Sequence, residues 1–455
     1  MPTASSPLAD WLDYLEALHP QGVAGIELGL VRVAGVKARL NQQAGETCPV
    51  ILVGGTNGKG SICAMLECIL LRAGYRVGLY TSPHLLRYNE RVRVNGAAVG
   101  DELLTAAFSK VQAARGGAAL TYFEFGTLAA WEVFAAASVE AVILEVGLGG
   151  RLDATNVYDP ACAIVSTVDI DHTAFLGPDR EAIGFEKAGI FRPGIPAICG
   201  DAEPPASLMA HAARLGAPLQ IMGRDFGYLK QDNQWLYWGA NGQQASVPID
   251  EKKPQEIQQH ASQPMGQQIR RSGLAYPALR GENQLRNAAC ALAALDALHA
   301  VLPVAMKDIR QGLLAVELTG RFQVLPGQPV VVLDVAHNPQ AARVLANNLL
   351  QMAFHPKTFA VFGMMQDKDI DAVIDALQAR VTHWLPATLA GSRAASADFL
   401  AARLRAKGLT VVDSFASVAD ALLAAQEQAG EGDRILAFGS FLVVAAALQA
   451  LGRKA

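Results

Sequence analysis

The chain has 455 residues, 51% of them hydrophobic and 18% charged, with a formal net charge of −4. A single hydrophobic core stops growing at roughly 250–300 residues, so two domains are expected, and so apolar a composition excludes an intrinsically disordered chain. Six scattered cysteines without a C-x-x-C pair read as free thiols of a reducing cytoplasm, and the lack of any long Lys/Arg run excludes a nucleic-acid partner.

The first predicted element is an amphipathic helix, with Ser6 as its N-cap and Pro7 at its first position, rather than a signal peptide. No apolar stretch approaches the roughly 20 residues of a membrane span. Strand-length apolar runs follow at Val50–Val53, Val77–Tyr80, Ala141–Val146 and Ala161–Val168, with a helix from Ile62 to Ala73 stopped by Gly74. Strand, helix, strand is the signature of a mostly parallel α/β sheet, and ligands of such sheets bind beyond the carboxyl ends of the strands. All four runs end in chemically loaded residues.

From about Phe226 to Leu279 the texture changes. Trp235–Trp238 followed by Asn241-Gly242 predicts a hairpin, and a Gln- and Pro-rich stretch then predicts an exposed insertion or small β subregion. Helices are expected over Asn283–Ala300 and Val304–Val316. A second alternation places strands at Val330–Leu333, Phe359–Phe362, Leu409–Val412 and Ile435–Phe438, which predicts a smaller Rossmann-like α/β domain. The expected units are 1–318 and 319–455.

The run VGGTNGKGS (Val53–Ser61) leaves a buried strand and enters a helix, so its backbone N–H groups and the helix N-terminus converge on one anion site. Glycines let the main chain approach phosphates, Lys59 bridges the outer phosphates, and a following hydroxyl, here Ser61, can reach Mg²⁺. The common pattern has no residue between lysine and hydroxyl, whereas here Gly60 intervenes. That G-T-N-G-K-G-S reading resembles the Mur ligase superfamily, and within it the folylpolyglutamate synthase and dihydrofolate synthase family. The resemblance implies that Thr56, Asn57, Gly58 and Lys59 hold ATP phosphates, and that Gly60 is a family mark.

The same resemblance carries roles to other segments. Thr81-Ser-Pro-His-Leu85 is merely a turn by itself, but its family counterpart has the serine on Mg²⁺, which implies Ser82 as a ligand. Glu145 ends an otherwise apolar strand, where a carboxylate is costly unless paired or metal-bound. The run around it, E-V-G-L-G-G-R-L-D-A-T-N, matches the family throughout and implies Mg²⁺ binding by Glu145 and a pterin-side pocket at Leu152, Asp153 and Ala154. His172, in Asp-His-Thr, completes the implied Ser, Glu, His metal set. Lys187, in Glu-Lys-Ala-Gly-Ile, matches a lysine carboxylated on its side-chain nitrogen that supports a second Mg²⁺. Thr121-Tyr-Phe-Glu124 reads on its own as a core aromatic cluster with a helix-start acid; the family places Thr121, Tyr122, Phe123 and Glu124 around dihydropteroate, whose flat ring suits aromatics. In the second half the resemblance places Asn287 near the ATP base and Arg321 on the phosphates, while Asp334 suits a ribose hydroxyl with His337 nearby.

The expected protein is an ATP-dependent ligase that adds L-glutamate to dihydropteroate and to reduced folates through an acyl phosphate, a cytoplasmic monomer with no membrane partner. Three alternatives stand beside it, of which a plain structural α/β protein would leave the loaded strand ends as coincidence. A muramyl-peptide ligase carries a sugar-nucleotide domain ahead of its phosphate loop, where only a helical leader precedes Lys59 here. A P-loop switch of the GTPase type needs an N-K-x-D base reader, which the sequence lacks.

Overall fold

The computed structural model describes residues 1–19, 27–40, 48–240 and 268–453. The expected Asn241-Gly242 turn and the Gln-rich run after it lie outside them. Two helices, α1 (Leu8–Leu18) and α2 (Val31–Arg39), lead into β1 (Val50–Gly54), α3 (Lys59–Arg72) and β2 (Val77–Tyr80). Ser6 does not cap α1. Its hydroxyl accepts from the Thr3 N–H (2.9 Å), and Pro7 occupies the N-cap, one residue later than expected.

The chain continues through β3 (Val92–Val94), β4 (Ala97–Ala98), α4 (Asp101–Ala114), α5 (Tyr122–Ala136), β5 (Ala141–Glu145) and β6 (Cys162–Val165). Next come α6 (Thr173–Leu176), α7 (Arg180–Ala188), β7 (Ala197–Cys199), α8 (Ala206–Leu215) and β8 (Leu219–Ile221). The eight strands form one sheet in the order β4-β3-β2-β5-β1-β6-β7-β8. Strands β2, β5, β1, β6, β7 and β8 run parallel and only the β3–β4 edge is antiparallel. These strands are buried along their length because helices cover both faces, which is why they read as continuous apolar runs rather than alternating ones. From β1 the chain passes over β5 to β2 and later returns to β6 on the other side, so the sheet's switch point lies at the end of β1.

The 226–279 region contributes β9 (Phe226–Lys230), β10 (Trp235–Ala240) and β11 (Gln268–Leu274), a three-stranded antiparallel sheet against α9 (Asn283–Ala297). Helix α10 (Met306–Ala315) packs on α3 so closely that a Cβ on Gly312 would lie 2.6 Å from Ile69 Cγ1.

The remaining elements are β12 (Gln323–Leu325), β13 (Val330–Asp334), α11 (Pro339–Leu350), β14 (Thr358–Phe362), α12 (Ile370–Leu377) and β15 (His383–Pro386), then α13 (Ala397–Ala406), α14 (Val418–Gln428), β16 (Arg434–Phe438) and α15 (Phe441–Ala450). They build a five-stranded sheet ordered β12-β13-β16-β14-β15, parallel except for β12. The expected strand at Leu409–Val412 is absent. That run touches β15 through one isolated bridge, Trp384 to Val411, and the regular strand is β15 itself, which the sequence reading passed over because Thr382, His383 and Pro386 dilute its apolar signal.

Candidate active site

Strand β1 delivers the chain into a loop that only glycine can follow at two points. Gly55 has φ 133° and Gly58 φ 93°, and a Cβ on Gly58 would lie 2.5 Å from Asn287 Oδ1. The loop is strapped to the end of β6: the Thr56 N–H donates to the Thr167 carbonyl (2.7 Å) and the Ser166 hydroxyl to the Asn57 carbonyl (2.6 Å). Helix α3 opens at Lys59, whose Nζ folds back onto the Gly55 carbonyl (3.1 Å). A Cβ on Gly60 would lie 3.7 Å from Arg321 Nη2 and 3.9 Å from Glu145 Oε2. The residue inserted between lysine and serine thus faces both charged groups, and anything longer than a methyl there would wedge between them.

Glu145 reaches this point through register, since it pairs with Val53 at the end of β1. It is 5% exposed, and burial raises its pKa while the nearby Lys59 and Arg321 cations lower it. Ser82 lies two residues beyond β2, the strand on the far side of β5, and its N–H meets Glu145 Oε2 at 3.3 Å. His172 does not end a strand. Strand β6 stops at Val165, and His172 sits at the N-cap of α6 in the left-handed region (φ 52°, ψ 39°), a costly backbone for a non-glycine residue. Burial lowers its pKa to about 4, with Asp171 opposing and Lys59 adding to the drop. Lys187, on α7, is 4% exposed; burial, reinforced by Lys59, lowers its amine to about 7.

One cavity of about 630 Å³ joins these groups to the second sheet. Its wall holds all of Thr56–Ser61, Ser82, Glu145, His172, Lys187 and Asn287 from the first half, with Arg321, Asp334 and His337 from the second. Arg321 lies with its guanidinium 4.9 Å from the Phe441 ring centroid. Asp334, at the end of β13, accepts from the N–H groups of Phe322 (2.8 Å) and Ala336 (2.7 Å), and burial raises its pKa to about 6. His337 Nδ1–H donates to the Val335 carbonyl (2.8 Å). Ser82 and Glu145 adjoin, and Glu145 is a buried carboxylate whose described hydrogen bonding is one long contact, which suits a hard divalent cation; His172 shares their cavity wall.

The other nominated residues stand behind the wall rather than in it. Thr121 and Glu124 form a capping box on α5: the Thr121 hydroxyl accepts from the Glu124 N–H (3.2 Å) and Glu124 Oε2 from the Thr121 N–H (2.8 Å). Asp153 accepts from the Leu148 N–H (2.9 Å) and the Thr155 hydroxyl (2.6 Å), which fixes the glycine loop after β5. Leu152 passes its carbonyl to the Gly29 N–H (3.3 Å), and Ala154 is packed in the core. Phe123 lies directly under Gly147, where a Cβ would meet its ring at 2.7 Å, and Tyr122 backs Arg91 at 5.5 Å.

Arg91 lines the cavity and was given no role from sequence. Its Nε donates to His84 Nδ1 (2.8 Å). Contacts between the two halves were also not foreseen. Asn57 Nδ2 donates to Gln340 Oε1 (2.5 Å) and Asn338 Oδ1 (3.2 Å), and Lys368 Nζ to Asp171 (2.6 Å). Despite its burial, His172 and Lys368 hold Asp171 well below the usual carboxylate range.

A phosphate loop at the switch point of one sheet, facing a second α/β sheet across a cationic cavity, is the architecture of a Mur-type ligase. Residues 320–441 match the family described as "Mur ligase, glutamate ligase domain". The chain is 43% identical to the dihydrofolate synthase/folylpolyglutamate synthase of Escherichia coli K12, over 99% of this chain and 97% of that one, and 39% identical to the Haemophilus influenzae enzyme of the same name, over 97% of each. The chain belongs to the dihydrofolate synthase/folylpolyglutamate synthase family. Among solved structures, E. coli FolC in complex with DHPP and ADP superposes with a TM-score of 0.87 at 42% identity, covering 99% of both chains. A bifunctional enzyme of the same description with Mn, AMPPNP and L-glutamate bound superposes at 0.84 and 43% identity, again over 99% of both.

Proposed function

We propose that this chain joins L-glutamate, at the expense of ATP, to dihydropteroate and to the glutamate tail of reduced folates. The observation that carries this reading is the burial of Glu145 between Lys59 and Arg321, a charged centre made by both sheets at the mouth of the phosphate loop. Amide formation from a carboxylate in water is uphill, so the acid must first become electrophilic. The loop amides and Lys59 bind and orient the ATP phosphates, and Arg321 offsets negative charge as the γ-phosphoryl passes to the acceptor carboxylate. The amino group of glutamate then attacks the acyl phosphate, and phosphate leaves. Ser82, Glu145 and His172 would hold Mg²⁺, which supplies further charge compensation. Asp334 and Asn287 orient the nucleoside.

Lys187 is proposed as the carboxylated lysine beside a second Mg²⁺. A buried amine lowered to about 7 is substantially neutral at neutral pH, and the neutral amine is the form that attacks CO₂. Thr121–Glu124 and Leu152–Ala154 are proposed to shape the pterin pocket from behind Gly147 and Arg91. The functional units are taken as 1–318 and 319–455, and the protein as a cytoplasmic monomer; no helix of the described residues is long and apolar enough to cross a membrane.

The test is direct: Mg-ATP and labelled L-glutamate are incubated with dihydropteroate or with tetrahydrofolate. Label should enter both acceptors. ATP hydrolysis without any incorporation would instead mark a nucleotide switch.

A further inference from the structure

A buried polar atom without a hydrogen-bond partner is costly, and in a cavity wall it points to a ligand. Among the buried side-chain atoms of the described residues that make no hydrogen bond, one, Asn283 Oδ1, belongs to a residue lining the cavity. Asn283 opens α9, and Asn287 follows one turn later on the same face. Since Asn287 abuts the phosphate loop at Gly58, Asn283 lies one turn, about 6 Å, along the helix from that contact. A nucleotide with its phosphates on the loop must still place its base, and this end of the cavity is shaped for a flat ring. Across from α9 stands α11 of the second half, whose Ala341, Val344, Leu345 and Asn348 share one face and all line the cavity.

The two helices meet through Asn348. Its Oδ1 accepts from the Glu282 N–H (3.4 Å), which leaves Nδ2 as a donor. A Cβ on Gly281 would lie 2.7 Å from Asn348 Nδ2 and 2.8 Å from Asn283 Oδ1, so the two atoms converge on one spot. Gly281, at φ 115°, brings no side chain to fill it. An acceptor and a donor thus stand side by side at the end of a partly apolar slot. Adenine presents the complement, because its 6-amino group donates and the ring nitrogen beside it accepts. A 6-oxo purine would instead set its oxygen against the oxygen of Asn283.

We propose that Asn283 Oδ1 accepts from the 6-amino group of the bound adenine while Asn348 Nδ2 donates to the adjacent ring nitrogen, and that this pair makes the enzyme select ATP over 6-oxo purine nucleotides. The inference rests on ATP being the nucleotide of the proposed reaction, and it assigns the base contact to one amide from each half.

The experiment measures dissociation constants by calorimetry for ADP, inosine 5′-diphosphate and purine riboside 5′-diphosphate, which lacks the amino group. The proteins are the full-length wild type, Asn283→Ala, Asn283→Asp and Asn348→Asp. The wild type should bind ADP about 10-fold or more tightly than either analogue, the span expected when a buried acceptor loses its partner. Asn283→Ala should weaken ADP to the level of the purine riboside nucleotide, which itself should bind both proteins alike. Asn283→Asp keeps an acceptor and should keep the preference for the amino group. Asn348→Asp still accepts from the Glu282 N–H but has lost the donor, so it should weaken ADP and the purine riboside nucleotide together. Equal affinity of the wild type for ADP and the purine riboside nucleotide overturns the assignment, and so does an Asn283→Ala that weakens all three nucleotides alike, the mark of a merely structural residue. Glutamate incorporation is followed in parallel. A wild type that binds ADP selectively yet incorporates no glutamate would refute the ligase reading and leave the base contact standing.

Discussion

At the scale of single residues, the site turns on charges that burial makes expensive. Lys59 is the direct case: Lys59→Ala should abolish ATP-dependent glutamate incorporation while circular dichroism and the unfolding midpoint show an intact fold. Equal activity in that variant would remove the loop from the reaction. Lys187 gives a pH signature. In the folded chain its amine is lowered from 10.5 to about 7, so between those values the unfolded chain carries a proton that the folded one lacks. Stability of the ligand- and CO₂-free protein should rise with pH across that window, and below about pH 7 the buried charge exacts its full cost. Lys187→Met should lack this slope. Urea midpoints of both proteins at several pH values check it, and parallel curves would disprove a buried amine.

Elements explain both what could be read from sequence and what could not. The loop Val53–Ser61 was legible because its glycines answer a backbone demand and its lysine a chemical one, each local to nine residues. Strands β1, β2 and β5 were legible because burial on both faces leaves them free of polar residues apart from Glu145 at the end of β5 and the Tyr80 hydroxyl at the end of β2. Strand β15 was not, since its polar and proline residues carry no alternation, and the capping of α5 was only half visible: Thr121 and Glu124 have the spacing of a capping box, which says nothing about a ligand. That box makes its own prediction. Thr121→Ala should destabilise the protein by about 1 kcal/mol, with Thr121→Ser recovering it, as read from urea unfolding. The α3–α10 contact predicts a second effect of this kind. Gly312→Ala forces a methyl to within 2.7 Å of Ile69 Cα, so the helices must separate, and a loss of about 1–3 kcal/mol is expected.

At the scale of the whole molecule, the residues that meet across the cavity come from opposite ends of the chain, such as Asn57 with Gln340 and Asp171 with Lys368. No spacing in the sequence encodes such meetings, because they depend on how two finished sheets face each other. Since the proposed nucleotide contacts come from both halves, Lys59 and Asn287 from one and Arg321 and Asp334 from the other, binding should draw them together. Small-angle scattering should give a smaller radius of gyration with ATP and pterin than without, and identical curves would count against closure.

Asn57 sits in the phosphate loop yet spends its amide on Asn338 and Gln340, residues at the opening of α11 in the other half. A nucleotide that settles on the loop is therefore felt at once by the distant sheet, through a side chain common to both. In the proposed reaction, commitment of the triphosphate and placement of the second sheet would become one event, which would leave little opportunity for the activated phosphoryl to be wasted on water.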